Sequence, residues 1–360
     1  MNRATLARQL LLQRAAVPPL EAVRHLVGLQ AQVPHNPYTA LWSRLDGFRP
    51  QALSQLLEDR SVVRISLMRA TIHLVTAQDC LLLRPVVQPI LDAELRRHRD
   101  YSPKLDGVDL RPVLASARRM LAEPRTGPEL REALAERFPT LDTPALAYAC
   151  RCHLALVQVP PRGLWGRGGQ VATVTADSWL GRPLDAAPSP DDVLLRYFAA
   201  FGPASLADAA TWSRLTGLRA VVERLRPRLV TFRDERGREL FDLPGAPRPG
   251  PDAPAPVRFL PEYDNVLLSH DDRSRFRSPE DRDALRPASQ VGWGAVLHDG
   301  VVRGTWRSEQ DGLVVRHVPL PQRAAAAIGA EGRRLARFLG VEGTVRLVSV
   351  SRRGGRRRGG

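Results

Sequence analysis

Apolar residues recur at helical spacing near the N-terminus. Leucines 6, 10 and 11 share one face, which predicts a helix over residues 3–15. Pro18-Pro19 interrupts it and predicts a second helix running through Leu29. Pro34 and Pro37 bracket an irregular stretch, followed by a third helix over Tyr38–Leu45 and a fourth over 50–59. The period then changes: Val62–Ile65 and Thr71–Val75 read as paired strands. Helices followed by a β-ribbon are the grammar of a winged helix. The same grammar recurs. Helices over 110–122, from Gly127 and from Thr143 precede strands at Val157–Val159 and Val171–Val174. Helices from Asp191, after Gly202-Pro203-Ala204-Ser205 and over Leu218–Leu225 precede Leu229–Phe232 and Glu239–Leu243, which flank a turn at 234–238. The copies share negligible identity, so the repeat is architectural.

A proline-rich linker over 244–256 denies both helix and ladder. Strands at 257–260, 291–297, 301–306 and 313–318, a basic helix over 321–339 and a strand over 344–350 follow. The expected fold is α+β: three tandem winged-helix (helix-turn-helix) modules over 1–95, 96–188 and 189–245, then a β-rich, barrel-like domain over 246–350. A disordered Arg/Gly tail is expected over 351–360.

The chain has 360 residues, 43% of them hydrophobic, enough for a real core. No apolar run reaches 18 residues and the N-terminus lacks a secretory pattern, so a cytoplasmic protein without membrane contact is expected. Cys80, Cys150 and Cys152 are too few for a disulfide framework and wrongly spaced for a zinc site; they read as buried thiols. No metal or organic cofactor is implied.

Charge narrows the partner. The formal net charge is +15, and Lys104 is the single lysine. Five of the excess charges lie in the tail, so the body is strongly basic by itself. That balance suits a polyanion, most often nucleic acid. Common enzyme signatures are missing: no G-x-x-x-x-G-K loop, no G-x-S-x-G and no H-E-x-x-H. Ser269-His270-Asp271-Asp272 cannot form a triad among adjacent residues.

The informative stretch is Gly28-Leu29-Gln30-Ala31-Gln32-Val33-Pro34. Two glutamines at i, i+2 point apart on a helix and converge only on extended or irregular backbone. Converging amides offer acceptors and donors without charge. The alternative is a helix end with solvated glutamines.

This stretch, with Leu41-Trp42-Ser43-Arg44-Leu45, Leu67–Leu74 and Phe259–Arg275, resembles the AlkZ/YcaQ-type winged-helix DNA glycosylases. The resemblance spans about residues 3–350. It implies three winged helices and a β-domain around a basic channel. Gln30-Ala31-Gln32 falls in the Gln-Φ-Gln branch, so the resemblance places the catalytic pair at Gln30 and Gln32. It implies a DNA glycosylase acting on alkylated purines in double-stranded DNA, most often N7-alkylguanine adducts or interstrand crosslinks. Arg69 and His73 on the first ribbon, Arg162, Trp165 and Arg167 in the 160–169 turn, and His270, Arg273 and Arg275 are the candidate DNA-binding residues. A monomer is expected, because a three-module channel is self-contained. The competing reading is a non-catalytic winged-helix DNA-binding protein, a regulator or a lesion-sequestering factor; an RNA-binding role is a third.

Overall fold

The computed structural model describes residues 1–285 and 292–351. The Arg/Gly tail from residue 352 onward therefore lies outside the described residues.

Helix α1 covers Asn2–Arg8, shorter than its periodicity predicts. Leu10 adopts φ +57° and the Leu11 N–H bonds Leu6 O at 2.8 Å, which closes the helix. Gln9 donates from its amide to Ala200 O at 2.8 Å, so long-range packing overrides the leucine pattern. Helix α2 (Pro19–His25) also stops early. Val27 and Gly28 turn the chain with positive φ, and Leu29–Gln30 becomes a strand, β1, instead of the end of a helix. Only glycine suits position 28: its φ is +87° and a Cβ there would sit 2.6 Å from Val75 Cγ1 and 2.9 Å from Leu74 O.

Next come α3 (Asn36–Arg44), α4 (Pro50–Glu58), β2 (Val62–Ser66) and β3 (Ile72–Thr76). Two helices that the pattern did not disclose, α5 (Ala77–Val86) and α6 (Gln88–Arg97), lead to α7 (Leu110–Met120) and β4 (Arg125–Thr126). Helix α8 (Gly127–Arg137) starts in a capping box formed by Thr126 and Glu129. Helix α9 (Thr143–His153), β5 (Leu156–Gln158), β6 (Ala172–Thr175) and α10 (Ala176–Leu180) follow. The third run is α11 (Pro190–Phe201), α12 (Leu206–Ser213), α13 (Leu218–Leu225), β7 (Val230–Arg233) and β8 (Glu239–Asp242).

Two of the three ribbons do not stand apart. Those of the first two runs merge into one antiparallel sheet, ordered β1-β3-β2-β5-β6-β4, while β7-β8 stays a separate hairpin. One face of the large sheet presents Val63, Ile65, Val75 and Val157 to a core shared with α11 and α12. The other face packs Val62, Leu74 and Leu29 against α2, α3 and α4. The sheet thus fixes β1 between the first and third helical runs.

The C-terminal region is β9 (Arg258–Leu260), β10 (Gly294–His298), β11 (Val301–Glu309), β12 (Gly312–His317), α14 (Gln322–Leu339) and β13 (Thr344–Ser349). Its strands form an open sheet, β13-β12-β11-β10-β9, and not the expected barrel. Helix α14 covers one face through Ile328 and Leu335, so no closure is needed to bury that face. No helix among the described residues is long and apolar enough to cross a membrane.

Candidate active site

The turn at Gly28 sets up the site. It delivers β1 onto β3, pairing Leu29 with Leu74 and Gln30 with His73. The Ala31 N–H still bonds Ile72 O at 2.7 Å, so the backbone stays extended through the motif. There the ladder ends, and the side chain of Gln32 continues it: its Oε1 accepts from Ile72 N at 3.2 Å. Gln30 is buried and Gln32 exposed. The extended reading of the glutamine spacing is the one observed; the helix-end alternative is not.

Gln30 Oε1 accepts from Arg69 Nη2 at 2.7 Å. Arginine has only donors, so the Gln30 amide must face it with oxygen, which turns the NH₂ group away and leaves it free to donate. Arg69 does not lie on a ribbon strand as the alternation predicts. It occupies the tight turn between β2 and β3 with φ +58°, and this strained position swings its guanidinium back over β1. Arg69 also donates to Trp212 O at 2.9 Å and to Asn265 Oδ1 at 3.3 Å. Asn265 in turn donates to Gly28 O at 3.1 Å. One guanidinium thus ties the glutamine strand to α12 and to the segment after β9. Its partners are all neutral. Burial lowers its pKa to about 10, so it stays charged at neutral pH.

His73 lies 3.5 Å from Arg69 and is completely buried. Burial, helped by the Arg69 charge, pushes its pKa down to about 3. It is neutral at physiological pH, its Nδ1 bonded to Thr71 O at 2.9 Å, and in this conformation it offers no surface to DNA.

A second buried cation supports the motif from its centre. Arg64 on β2 donates to Ala31 O at 3.0 Å, while its Nε and Nη1 have no partner. Burial and the nearby Arg162 lower its pKa to about 10. Neither Arg64 nor Asn265 was singled out from sequence. A lone arginine inside Val62-Val63-Arg64-Ile65 was the legible signal for the first.

The other candidates separate. Trp165 is not held out for a groove. Its ring is half-buried, 4.9 Å from Tyr38 and 5.3 Å from Phe338, and its backbone N–H donates to Ser54 Oγ. Arg162 is half-buried and donates to Gly169 O; Arg167 is exposed. His270 lies inside the fold, 2% exposed, against Phe201 O and Arg275. Burial and Arg275 push its pKa to about 3. Arg275 donates to Thr5 Oγ1 at 2.9 Å and is largely buried, so this pair braces α1 instead of presenting a basic surface. Arg273 is exposed. The cysteines are buried thiols as expected, pushed by burial up to about 12 for Cys80 and Cys150. No group of three His, Cys, Asp or Glu suited to a metal occurs among the described residues.

The stretches that carry the sequence resemblance meet at this site. Arg44 of α3 forms a paired contact with Asp264 at 2.8 Å on each arm, and Asn265 is the next residue. The model of the DNA glycosylase AlkZ-like family matches residues 23–338. The chain belongs to this family. It is therefore an enzyme of the DNA glycosylase type. An interstrand DNA cross-link repair glycosylase of Streptomyces sahachiroi is 25% identical over 370 residues, covering 93% of this chain and 94% of that one. The solved structure of the S. sahachiroi DNA glycosylase AlkZ superposes with a TM-score of 0.78 at 23% identity, covering 96% of this chain and 98% of that one. The α+β architecture with its open C-terminal sheet is thus that of a solved AlkZ-like glycosylase.

Proposed function

We propose that Gln30 and Gln32 are the catalytic pair of this DNA glycosylase, and that its substrate is N7-alkylated guanine in duplex DNA. The observation that carries the reading is the pair of amides on one extended strand, one buried and oriented by Arg69, the other exposed.

An N7-alkylguanine is cationic, so its glycosidic bond is already weakened. It leaves as a neutral base and needs no strong general acid. In the proposed step the C1′–N9 bond breaks with its electron pair going to the base. Water oxygen bonds to C1′, and the released proton passes to solvent. Gln32, exposed and with a spare lone pair on Oε1, holds the water. Gln30, its oxygen committed to Arg69, directs its N–H bonds at the lesion base, where electron density grows as the bond breaks. Undamaged bases lack the built-in charge and should be poor substrates. The product is an abasic site. Lys104, the single lysine, pairs at 2.7 Å with Asp142, the N-cap of α9, away from the motif, so a lysine Schiff base forms no part of the reaction.

The similarity to an interstrand DNA cross-link repair glycosylase supports a further element: interstrand crosslinks are substrates as well. The three helix-plus-ribbon runs act as winged helices, with exposed Arg167 and Arg273 on backbone phosphates. The protein works as a monomer. The test is single-turnover incubation with duplexes carrying N7-methylguanine or an N7-guanine crosslink. Release of free base and an alkali-labile abasic site is expected. Tight binding to both duplexes with neither cut would refute the substrate assignment.

A further inference from the structure

A cavity of about 550 Å³ opens beside the motif, and Gln32 and Ile72 form part of its wall. Its volume falls within the range of small-molecule sites. Helices α8 and α9 form the far wall, with Leu130, Leu154 and Leu156 lining an apolar floor. Tyr148 faces it with its ring 5.0 Å from that of Tyr101, and the guanidinium of Arg151 lies 4.4 Å over the Tyr148 ring. Three arginines line the cavity and no aspartate or glutamate does. On the β5 side Gln158 has a buried carbonyl oxygen without a hydrogen-bond partner.

We infer that this cavity receives the group carried on N7 of the damaged guanine, and that it selects planar aromatic substituents that are neutral or anionic. The inference rests on the assignment of Gln30 and Gln32 above. The occupant follows from continuity: Gln32 and Ile72 belong both to the motif's strand pairing and to the cavity wall, so a group projecting from the lesion base held at the motif reaches the cavity. The apolar floor and the tilted Tyr101–Tyr148 pair favour a flat apolar body. Arg84 is committed to Gln88 and to the carbonyls of Cys152 and Leu154, and Glu94 lies behind the Tyr148 hydroxyl; Arg131 and Arg151, with no carboxylate in the lining, favour acceptors or negative charge and oppose a cation. A methyl group would leave nearly all of the space unfilled.

Three substituents on the same benzyl frame test it: N7-benzyl, N7-(4-carboxybenzyl) and N7-(4-trimethylammoniobenzyl) guanine in one duplex, beside N7-methylguanine. Single-turnover release by the wild type should favour carboxybenzyl and benzyl over methyl. Trimethylammoniobenzyl should lag carboxybenzyl at least tenfold. Val171→Trp fills the cavity from its exposed rim, and Tyr148→Ala removes the stacking face. Each should lower the benzyl-to-methyl ratio at least fivefold; reading a ratio cancels any general loss of folded enzyme. Unchanged ratios in both variants, or equal release of the anionic and cationic adducts, would overturn the cavity assignment while leaving the catalytic one standing. Release of no lesion by wild type would overturn the catalytic reading and this one together.

Discussion

Two pairs of arginines inside this molecule are held in two different ways. Arg8 and Arg44 each meet a buried carboxylate, Asp242 and Asp264, through two hydrogen bonds. Arg64 and Arg69 meet only neutral acceptors: a backbone carbonyl for the first, and Trp212 O, Gln30 and Asn265 for the second. A buried charge without a counter-charge is costly unless its hydrogen bonds are filled by neutral acceptors. The paired arginines lie at junctions between segments far apart in sequence; Arg64 and Arg69 both lie against the Gln30-Ala31-Gln32 strand, whereas Arg84 and Arg258, also buried among neutral acceptors, lie away from it. What marks Arg64 and Arg69 as part of the site is their contact with the motif strand, not the missing carboxylate alone. The scaffold also serves the site, since the Arg44–Asp264 pair holds the turn that presents Asn265 to Arg69.

If that division is right, breaking the scaffold pair costs most in stability. Arg44→Met strands Asp264 in the interior and should destabilise the protein by about 3–5 kcal/mol in urea unfolding. A loss near zero would erase the distinction. Acid comes next. His73 has its folded pKa depressed below the ordinary value of 6.5, so it adds stability above that pH and loses it as the pH falls toward 3. At pH 5 the loss from His73 alone should be about 2 kcal/mol relative to pH 7. His73→Leu should flatten that part of the pH curve, read by unfolding at both pH values. Arg69→Met should do the opposite of Arg44→Met: a stability loss of only about 1 kcal/mol, since no carboxylate is orphaned. Base release should fall at least tenfold, about 1.4 kcal/mol of barrier. Arg69→Lys should restore only part of it, because one ammonium cannot span the same acceptors. The smallest effect belongs to the exposed surface. Arg167→Ala should weaken binding to all duplexes evenly and reduce the salt slope by about one.

Much of this was legible in sequence. The three runs of helices before ribbons, the linker and nearly every C-terminal strand follow from hydrophobic period and proline placement. The failures share a cause. Helix α1 ends at Arg8 because Gln9 is recruited by Ala200, nearly two hundred residues away. The helix predicted through Leu29 ends because Gly28 must fit against Leu74 and Val75. The C-terminal sheet stays open because α14 covers one face, a choice between covering and closing that strand pattern does not reveal. At the site, the glutamine spacing was readable but their unequal burial was not, because it depends on Arg69 folding back from a positive-φ turn. Trp165 and His270 looked like surface residues beside arginines; tertiary packing placed one among Tyr38 and Phe338 and the other against Phe201.

The most direct test of the central claim compares wild type with Gln30→Ala and Gln32→Ala in single-turnover release of N7-methylguanine or N7-benzylguanine from duplex DNA, with binding measured for all three. The account predicts that both variants bind within about twofold of wild type, and that each releases base about 10²–10³ times more slowly, as for loss of one transition-state hydrogen bond. Variants that bind normally and release base at the wild-type rate would contradict it.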